Sequence, residues 1–403
     1  MRILMITDVY FPRINGVSTS IKLFRQTLLA MGHEVTLIAP DYADQADEQI
    51  PEDNIIRVPS SKVILDPEDR MMSRKFIAKL LPGLKAQDFD LLHIQTPFIA
   101  HYEGVKLAKE LGIPSVETYH TFFEEYLYHY FPYVPKSWMR YLARMFTRKQ
   151  CNSVDMVITP STAMKDVLVK YGVKTATRIV PTGIVLDELQ SGQGHVFRDK
   201  HGIDQDRPVL VHVGRVAHEK NIGFLLHMLS HLHKKIPDVL FVIAGEGPAL
   251  GHLRKQVEQL GLTDNVMFIG YLSREGDLLD CYCAGDAFVF ASRTETQGLV
   301  LLEAMALGVP VVSTAVMGTK DILNARKGAL VTIEEPMAFS ANAQRLLENS
   351  SLRTRLANEA REYVKEWTAE EMTNRLLDLY QDLITDDLPQ TISEDNLGNQ
   401  LAS

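Results

Sequence analysis

Cysteine is scarce in this chain, and long apolar runs are missing from it. Of 403 residues only Cys151, Cys281 and Cys283 are cysteines. An odd number without a CxxC spacing excludes a disulfide framework and a zinc knuckle as readings, and reduced, cytosolic thiols are the expectation. No stretch approaches the ~18 apolar residues of a membrane span. The N-terminal run Met1-Arg2-Ile3-Leu4-Met5-Ile6-Thr7 meets Asp8 too early for a secretory leader. The expectation is a chain with neither signal peptide nor transmembrane helix. Positive charge is also short: 42 Lys and Arg against 51 Asp and Glu give a net charge of −9. That balance excludes a general nucleic-acid binder, because phosphate backbones reward positive surfaces. No internal repeat with a period of roughly 20–50 residues is present, beyond a restart of the α/β pattern described next.

What is present points to a soluble globular enzyme. Hydrophobic residues make up 46% and charged residues 23%, enough apolar material for a real core. The length suits two domains of roughly 180 residues better than one. Short Val, Ile and Leu runs alternate with stretches of helical period, the sequence form of βαβ units in a parallel sheet. Strands are expected at Arg2–Asp8, Glu34–Pro40, Ile55–Pro59, Asp90–Thr96, Ser115–His120, Met156–Ser161 and Arg178–Thr182. Helices near 17–31, 71–86, 102–111, 136–152 and 162–171 separate most of them. The pattern restarts with strands at Val209–Arg215, Leu240–Glu246, Val266–Tyr271, Ala287–Ser292, Pro310–Thr314 and Ala329–Thr332. The polar interval 184–207, with Gly192 and Gly194, reads as a linker. Beyond Met337 the pattern is helical: Ala338–Leu347, Leu352–Trp367 and Ala369–Ile384.

The fold expected is therefore α/β, two Rossmann-like doubly wound parallel-sheet domains whose strand ends enclose a ligand cleft. Residues 1–185 form the first and 206–367 the second. Residues 368–386 form a helix crossing back to the first domain, and 387–403 an acidic, polar tail.

Candidate chemistry gathers at the expected strand ends. Strand one leads from Asp8 through Phe11-Pro12 to Asn15-Gly16-Val17-Ser18 and a helix. Glycine there permits close approach of a ligand to amides at the positive end of the helix dipole. Val209–Val213 leads to Gly214-Arg215 and then Glu219-Lys220-Asn221 before a helix. An arginine that pairs two oxygens and a lysine that supplies a point charge suit a diphosphate. Glu295 and Glu303 bracket Thr296-Gln297-Gly298-Leu299-Val300-Leu301-Leu302. Loop Glu295 suits sugar hydroxyls and helical Glu303 a ribose, and the amides of Gly298, Leu299 and Val300 suit a phosphate. Glu303 faces the ligand if Leu301, Leu302 and Met305 face the core. The Asp-x-Asp of Asp88-Phe89-Asp90 precedes its strand and lies at the edge away from the ligand, so no metal site is expected.

Asp8, Phe11-Pro12, Asn15-Gly16-Val17, His120-Thr121, Pro160-Ser161, Pro181-Thr182-Gly183, Gly214-Arg215, Glu219-Lys220-Asn221, Ala244-Gly245-Glu246-Gly247-Pro248 and Glu295–Glu303 stand in one order along residues 1–385. In that order they resemble the retaining GT-B glycosyltransferases of family 4. The resemblance implies a UDP- or GDP-hexose donor and no other cofactor. It implies Gly16 and neighbouring Val17 at the donor phosphate, Arg215 and Lys220 on the diphosphate beside Gly214, and Glu303 on the ribose. It places Glu295 at the transferred sugar, His120 at the donor sugar or in the path of the departing proton, and the backbone around Gly270 and Tyr271 at the base. It also implies transfer on one face of the sugar, with the leaving phosphate taking the acceptor's proton.

For the acceptor, residues 127–153 contain no acid, and Lys136, Arg140, Arg144 and Arg148 recur every fourth residue along one helical stripe. Trp138, Tyr141, Leu142 and Met145 fill a neighbouring stripe. Arg70 to Lys85 also lacks acids and sets Arg74, Lys75 and Lys79 beside Met72, Phe76 and Leu80. Basic amphipathic helices bearing aromatics suit an anionic lipid surface; the alternative packs the apolar stripes on the sheet. The segments Tyr119–Tyr126 and Thr294–Leu299 resemble the diacylglycerol glucosyltransferase and lipid mannosyltransferase branch, with Glu124, Tyr126 and Phe131 near the acceptor. The expectation is hexose transfer to a membrane lipid by a cytoplasmic, peripheral protein. Transfer to a soluble or cell-surface saccharide is the alternative, and an inactive nucleotide-sugar sensor a third reading.

Overall fold

The structure is a computed structural model that describes residues 1–42, 53–63, 70–120, 136–273 and 276–385, with Lys136 described in its backbone alone. The chain divides into two compact units, Met1–Gly183 with the chain from Ala369 onward, and Ile184–Thr368.

The first unit contains β1 (Arg2–Ile6), β2 (Glu34–Pro40), β3 (Ile55–Val58), β4 (Ser60–Lys62), β5 (Arg70–Met72), β6 (Leu91–Ile94), β7 (Ser115–Thr118), β8 (Met156–Thr159) and β9 (Thr177–Ile179). Among the described residues, seven of these form a parallel sheet in the order β3-β2-β1-β6-β7-β8-β9. Ile3, Leu4, Met5 and Ile6 are all buried, because helices cover both faces and the strand reads as one continuous apolar run. One face carries the helix Gly16–Ala30, whose Ile21, Phe24 and Leu28 recur at helical spacing. The same core receives Met372, Leu376, Leu379, Tyr380 and Leu383 from the helix Ala369–Ile384. That last helix therefore belongs to the first unit.

Two helix starts differ from expectation by three residues. The helix expected from 71 begins at Arg74, because Arg70–Met72 pairs antiparallel with Ser60–Lys62 and the Ser73 side chain caps the helix. The helix expected from 102 begins at Ile99. Its opening N–H groups, Phe98 and Ala100, donate to the Asp8 carboxylate at 3.2 and 3.0 Å. That cap comes from the far side of the sequence, so no local signal marks it.

The second unit contains β10 (Val209–Val213), β11 (Leu240–Ala244), β12 (Val266–Gly270), β13 (Ala287–Phe290), β14 (Val311–Ser313) and β15 (Ala329–Val331). Among the described residues they form one parallel sheet, ordered β12-β11-β10-β13-β14-β15. Val209, Val211 and Val213 enter one core and Leu210 another, the alternation that places cores on both faces of a sheet.

The interval 184–207 is not a linker. Ile184, Phe197 and Ile203 are buried in the second unit's core, and Gly194–Lys200 is helical. A Cβ on Gly192 would stand 2.4 Å from the Leu279 carbonyl oxygen, and one on Gly194 2.2 Å from that of Cys283. These glycines serve close packing against the helix Asp277–Cys283 rather than flexibility. The second unit thus begins at Ile184, not at 206.

Candidate active site

In the second unit, the carboxyl ends of β10, β11 and β12 are knit by backbone. The Gly214 N–H donates to Ala244 O at 3.0 Å, and the Gly245 N–H to Gly270 O at 2.7 Å. Gly245 has φ +136°, and a Cβ there would lie 2.0 Å from Gly214 O. Only glycine lets these two loops meet. Tyr271, next along, is 63% exposed.

Arg215 and Lys220 follow β10. Arg215 is half exposed, with Nη1 4.0 Å from the Glu219 carboxylate. Lys220 lies mostly buried in a short 3-10 turn, His218–Lys220, and its ammonium donates to Glu295, likewise mostly buried in the loop after β13. The sequence expectation brought these residues to one sheet end, and the structure joins two of them directly. Each of the two cations after β10 thus has a carboxylate partner, Lys220 the loop residue Glu295 and Arg215 its own neighbour Glu219.

His212, on β10, is fully buried. Its Nδ1–H donates to Val289 O at 3.1 Å, and its Nε2 has no partner among the described residues. Burial pulls its pKa down to about 4, partly opposed by the Val289 bond.

The helix Leu299–Ala306 starts at Gly298, whose φ is +102°. Glu303 does not sit opposite a buried face, as the sequence reading supposed: Leu301, Leu302, Glu303, Ala304 and Met305 are all buried. This short helix is enclosed by β13, β14 and the helix Ser350–Tyr363. The Glu303 carboxylate, 5% exposed, accepts the Tyr282 hydroxyl at 2.8 Å. Leu299 and Val300 remain partly exposed.

In the first unit, His120 follows β7, and its Nε2–H donates to the Gln95 side-chain oxygen at 3.1 Å. Burial lowers its pKa to about 4. It is therefore a neutral imidazole at working pH, able to accept a hydrogen bond through Nδ1 but not to act as an acid. Asp8, buried at the end of β1, accepts from the Thr96 hydroxyl at 2.8 Å. Burial drives its carboxyl up to about 7 against that bond and the Ala100 and Phe98 N–H groups. His93 lies between the hydroxyls of Tyr380 and Thr118, 2.6 Å from each, and burial with nearby His120 pulls it to about 3. At Gly16 a Cβ would meet nothing within 4 Å, so packing does not demand the glycine. The Asn15–Ser18 capping box holds that helix start, and Val17 follows Gly16 in its first turn. Asp90 lies at the other end of the sheet, accepting the Arg2 N–H at 2.7 Å at the start of β1.

The helix Lys136–Cys151 turns Met139, Ala143, Thr147 and Gln150 inward. Trp138 is 67% and Tyr141 65% exposed, and Leu142 and Met145 are exposed beside Arg140, Arg144 and Arg148. The aromatic stripe therefore does not pack on the sheet. In the second basic segment, Lys75 and Lys79 are exposed and Met72 is buried, with Phe76 and Leu80 between; Arg74 lies over the Tyr102 ring. Glu124, Tyr126, Phe131, Thr121 and the tail from 387 lie outside the described residues.

Sequence reasoning missed Tyr282, Gln95, Arg293 and Glu334, all partners reached only through the fold. It also missed Gly318, where a Cβ would stand 2.0 Å from Thr296 O and whose N–H donates to Glu295 O at 2.9 Å.

Two family models cover most of this architecture: Glycosyltransferase Family 4 over residues 14–188, and Glycosyl transferases group 1 over residues 195–363. The chain is 32% identical to the alpha-monoglucosyldiacylglycerol synthase of Streptococcus pneumoniae, over 99% of this chain and 90% of that one. It is 28% identical to a GDP-mannose-dependent alpha-mannosyltransferase of Mycobacterium tuberculosis, over 83% of this chain and 85% of that one. The crystal structure of Anabaena Alr3699/HepE in complex with UDP superposes with a TM-score of 0.75 at 16% identity, covering 95% of this chain and all of that one. The chain belongs to the family 4, group 1 glycosyltransferases of the GT-B fold.

Replacing Gly318 by alanine forces the Glu295–Gly298 loop away, because Thr296 O cannot yield without moving backbone. Thermal melting is expected to show a loss of about 1–3 kcal/mol, and donor turnover to fall along with it. An unchanged melt would show that the loop relaxes freely.

Proposed function

We propose that this glycosyltransferase moves a hexose, of glucose or mannose type, from a nucleoside-diphosphate sugar to a membrane lipid such as diacylglycerol, with retention and without a metal. The donor diphosphate is held by Arg215 and Lys220, with Gly16 and Val17 and the amides of Gly298, Leu299 and Val300 against phosphate. Glu303, steadied by Tyr282, takes the ribose. The backbone at Gly214, Gly270 and Tyr271 lines the nucleotide, and Glu295 and His120 meet the hexose.

In the reaction, the acceptor oxygen bonds to the anomeric carbon as that carbon's bond to the β-phosphate oxygen breaks on the same face. The acceptor's proton passes to the departing phosphate. Negative charge grows on the diphosphate, and two fixed cations stabilise it where it grows. That supplies the counter-charge a metal would otherwise bring.

The observation that carries the lipid acceptor is the outward face of the helix Lys136–Cys151. Trp138 and Tyr141 stand exposed among Arg140, Arg144 and Arg148. No helix among the described residues is long and apolar enough to cross a membrane; in this reading the exposed basic and aromatic face attaches the chain peripherally, at the cytoplasmic leaflet. Each basic residue near an anionic surface adds about 1 kcal/mol. The full-length similarity to a diacylglycerol glucosyltransferase supports the same acceptor and favours a glucose donor; the mannosyltransferase relative keeps GDP-mannose as the second choice.

With UDP-glucose or GDP-mannose and vesicles of diacylglycerol and phosphatidylglycerol, the chain is expected to form a glycosylated lipid. Changing Arg140, Arg144 and Arg148 together to Gln should weaken vesicle sedimentation at least about tenfold, with donor hydrolysis largely intact. Wild-type binding should fade as salt rises. Equal vesicle binding by the triple variant removes the lipid-surface argument. Transfer only to a soluble saccharide would select the alternative acceptor.

A further inference from the structure

Resting on the donor-site reading above, we propose that Glu334 is a positioning residue for hexosyl transfer, fastening the turn that carries Lys220 to the loop that carries Glu295. Glu334 sits just after β15, far in sequence from both. Its carboxylate accepts Arg293 Nε–H at 2.9 and 3.0 Å and also pairs with the Arg293 Nη2 group. The same carboxylate accepts the Asn221 side-chain amide at 3.1 Å. Asn221 directly follows Lys220, and Arg293 stands two residues before Glu295, so one side chain grips both neighbours of the ion pair.

The surrounding bonds run the same way. Asn221 Nδ2 also reaches Ala291 O at 3.2 Å, and the Arg293 N–H approaches Glu219 O at 3.4 Å. Asn221 holds a left-handed backbone, φ +57°, which asparagine adopts more readily than most residues, and its side-chain amide is held by two acceptors, Glu334 and Ala291 O. The Arg293 guanidinium keeps the Glu334 carboxyl below its usual range, so the clamp stays charged through neutral and mildly acid pH.

Glu334 touches neither the diphosphate nor the sugar in this assignment. It acts by fixing where the Lys220 ammonium meets developing charge, and an error of about 1 Å in such a group costs up to ~100-fold in rate. Removing the carboxylate also frees Arg293, a second cation two residues from Glu295, to compete for it.

The test measures UDP-glucose and GDP-mannose turnover, UDP binding and melting for Glu334→Ala, Glu334→Gln, Arg293→Ala and the double variant Glu334→Ala with Arg293→Ala. Lys220→Ala serves as reference. Glu334→Ala should lower kcat about 10- to 100-fold, with UDP affinity changed less than about threefold and the melting temperature within a few degrees, because Arg293 is 59% exposed and the pair contributes little to stability. Glu334→Gln keeps an acceptor for Asn221 and should recover part of the rate. The double variant should lose no more than the worse single one, since both changes break one device. Wild-type kcat in Glu334→Ala, or losses that multiply in the double variant, overturns the proposal. If those results appear while Lys220→Ala is inactive, the clamp fails and the donor site stands; if Lys220→Ala is also fully active, the donor-site reading fails first.

Discussion

Lys220→Ala should reduce donor turnover by about two orders of magnitude or more, while the second unit stays folded. Bond cleavage to a diphosphate places a full negative charge on oxygen as it leaves, and a preorganised cation stabilises that state far more than the ground state. Lys220 is preorganised in this sense: Glu295 holds its ammonium before any substrate arrives. Alanine removes the charge and leaves Glu295 repelling the phosphate it should accompany. Folding is less sensitive, since Glu295 keeps some access to water at 16% exposure. Burst-free steady-state kinetics beside thermal melting separates the two effects. A kcat within about threefold of wild type would place the diphosphate elsewhere.

Acidification should destabilise the chain at higher pH than its carboxylates alone would require. His93, His120 and His212 have pKa values lowered to about 3, 4 and 4 by burial. Unfolded, each binds its proton near 6.5. Between pH 6.5 and 4 the unfolded chain therefore takes up protons the folded one refuses, and stability falls as pH falls through that window. Asp8 opposes this: its carboxyl is raised to about 7 from 3.8, so its contribution is present at low pH and is lost as pH rises through about 7. Three imidazoles outweigh one carboxyl. The first unit, with two of these histidines and Asp8, and the second, with His212, should each lose roughly 3 kcal/mol on going from pH 7 to 4. Denaturant melts at the two pH values measure it. The His212→Phe change should flatten the slope of the second unit alone, and equal melts at pH 7 and 4 would contradict the burial argument.

The strands were legible because a parallel strand buried on both faces leaves a continuous apolar run, and Glu34–Pro40 has the expected ends. The helix Ala369–Ile384 was legible for the companion reason, a clean apolar stripe between polar flanks. Lys220 and Glu295 could be named from their place after strands. Their pairing could not, because nothing local measures the distance between two loops. Glu303 shows the same limit: its helix is too short and too apolar on every side for periodicity to assign an outer face. The glycines at 192 and 194 misled, since a glycine that admits a neighbouring carbonyl and one that loosens a hinge look alike in sequence.

The return of Ala369–Ile384 to the sheet begun by Arg2–Ile6 sets an order on biosynthesis. Everything from Ile184 to Thr368 leaves the ribosome, and can fold, before the first unit receives Met372, Leu376 and Tyr380. Until then the sheet face that carries Gly16–Ala30 is only partly covered, and His93 lacks a hydroxyl partner on Nδ1. The half synthesised first is completed last, and a nascent chain stalled before Ala369 would expose an apolar surface for chaperones to cover.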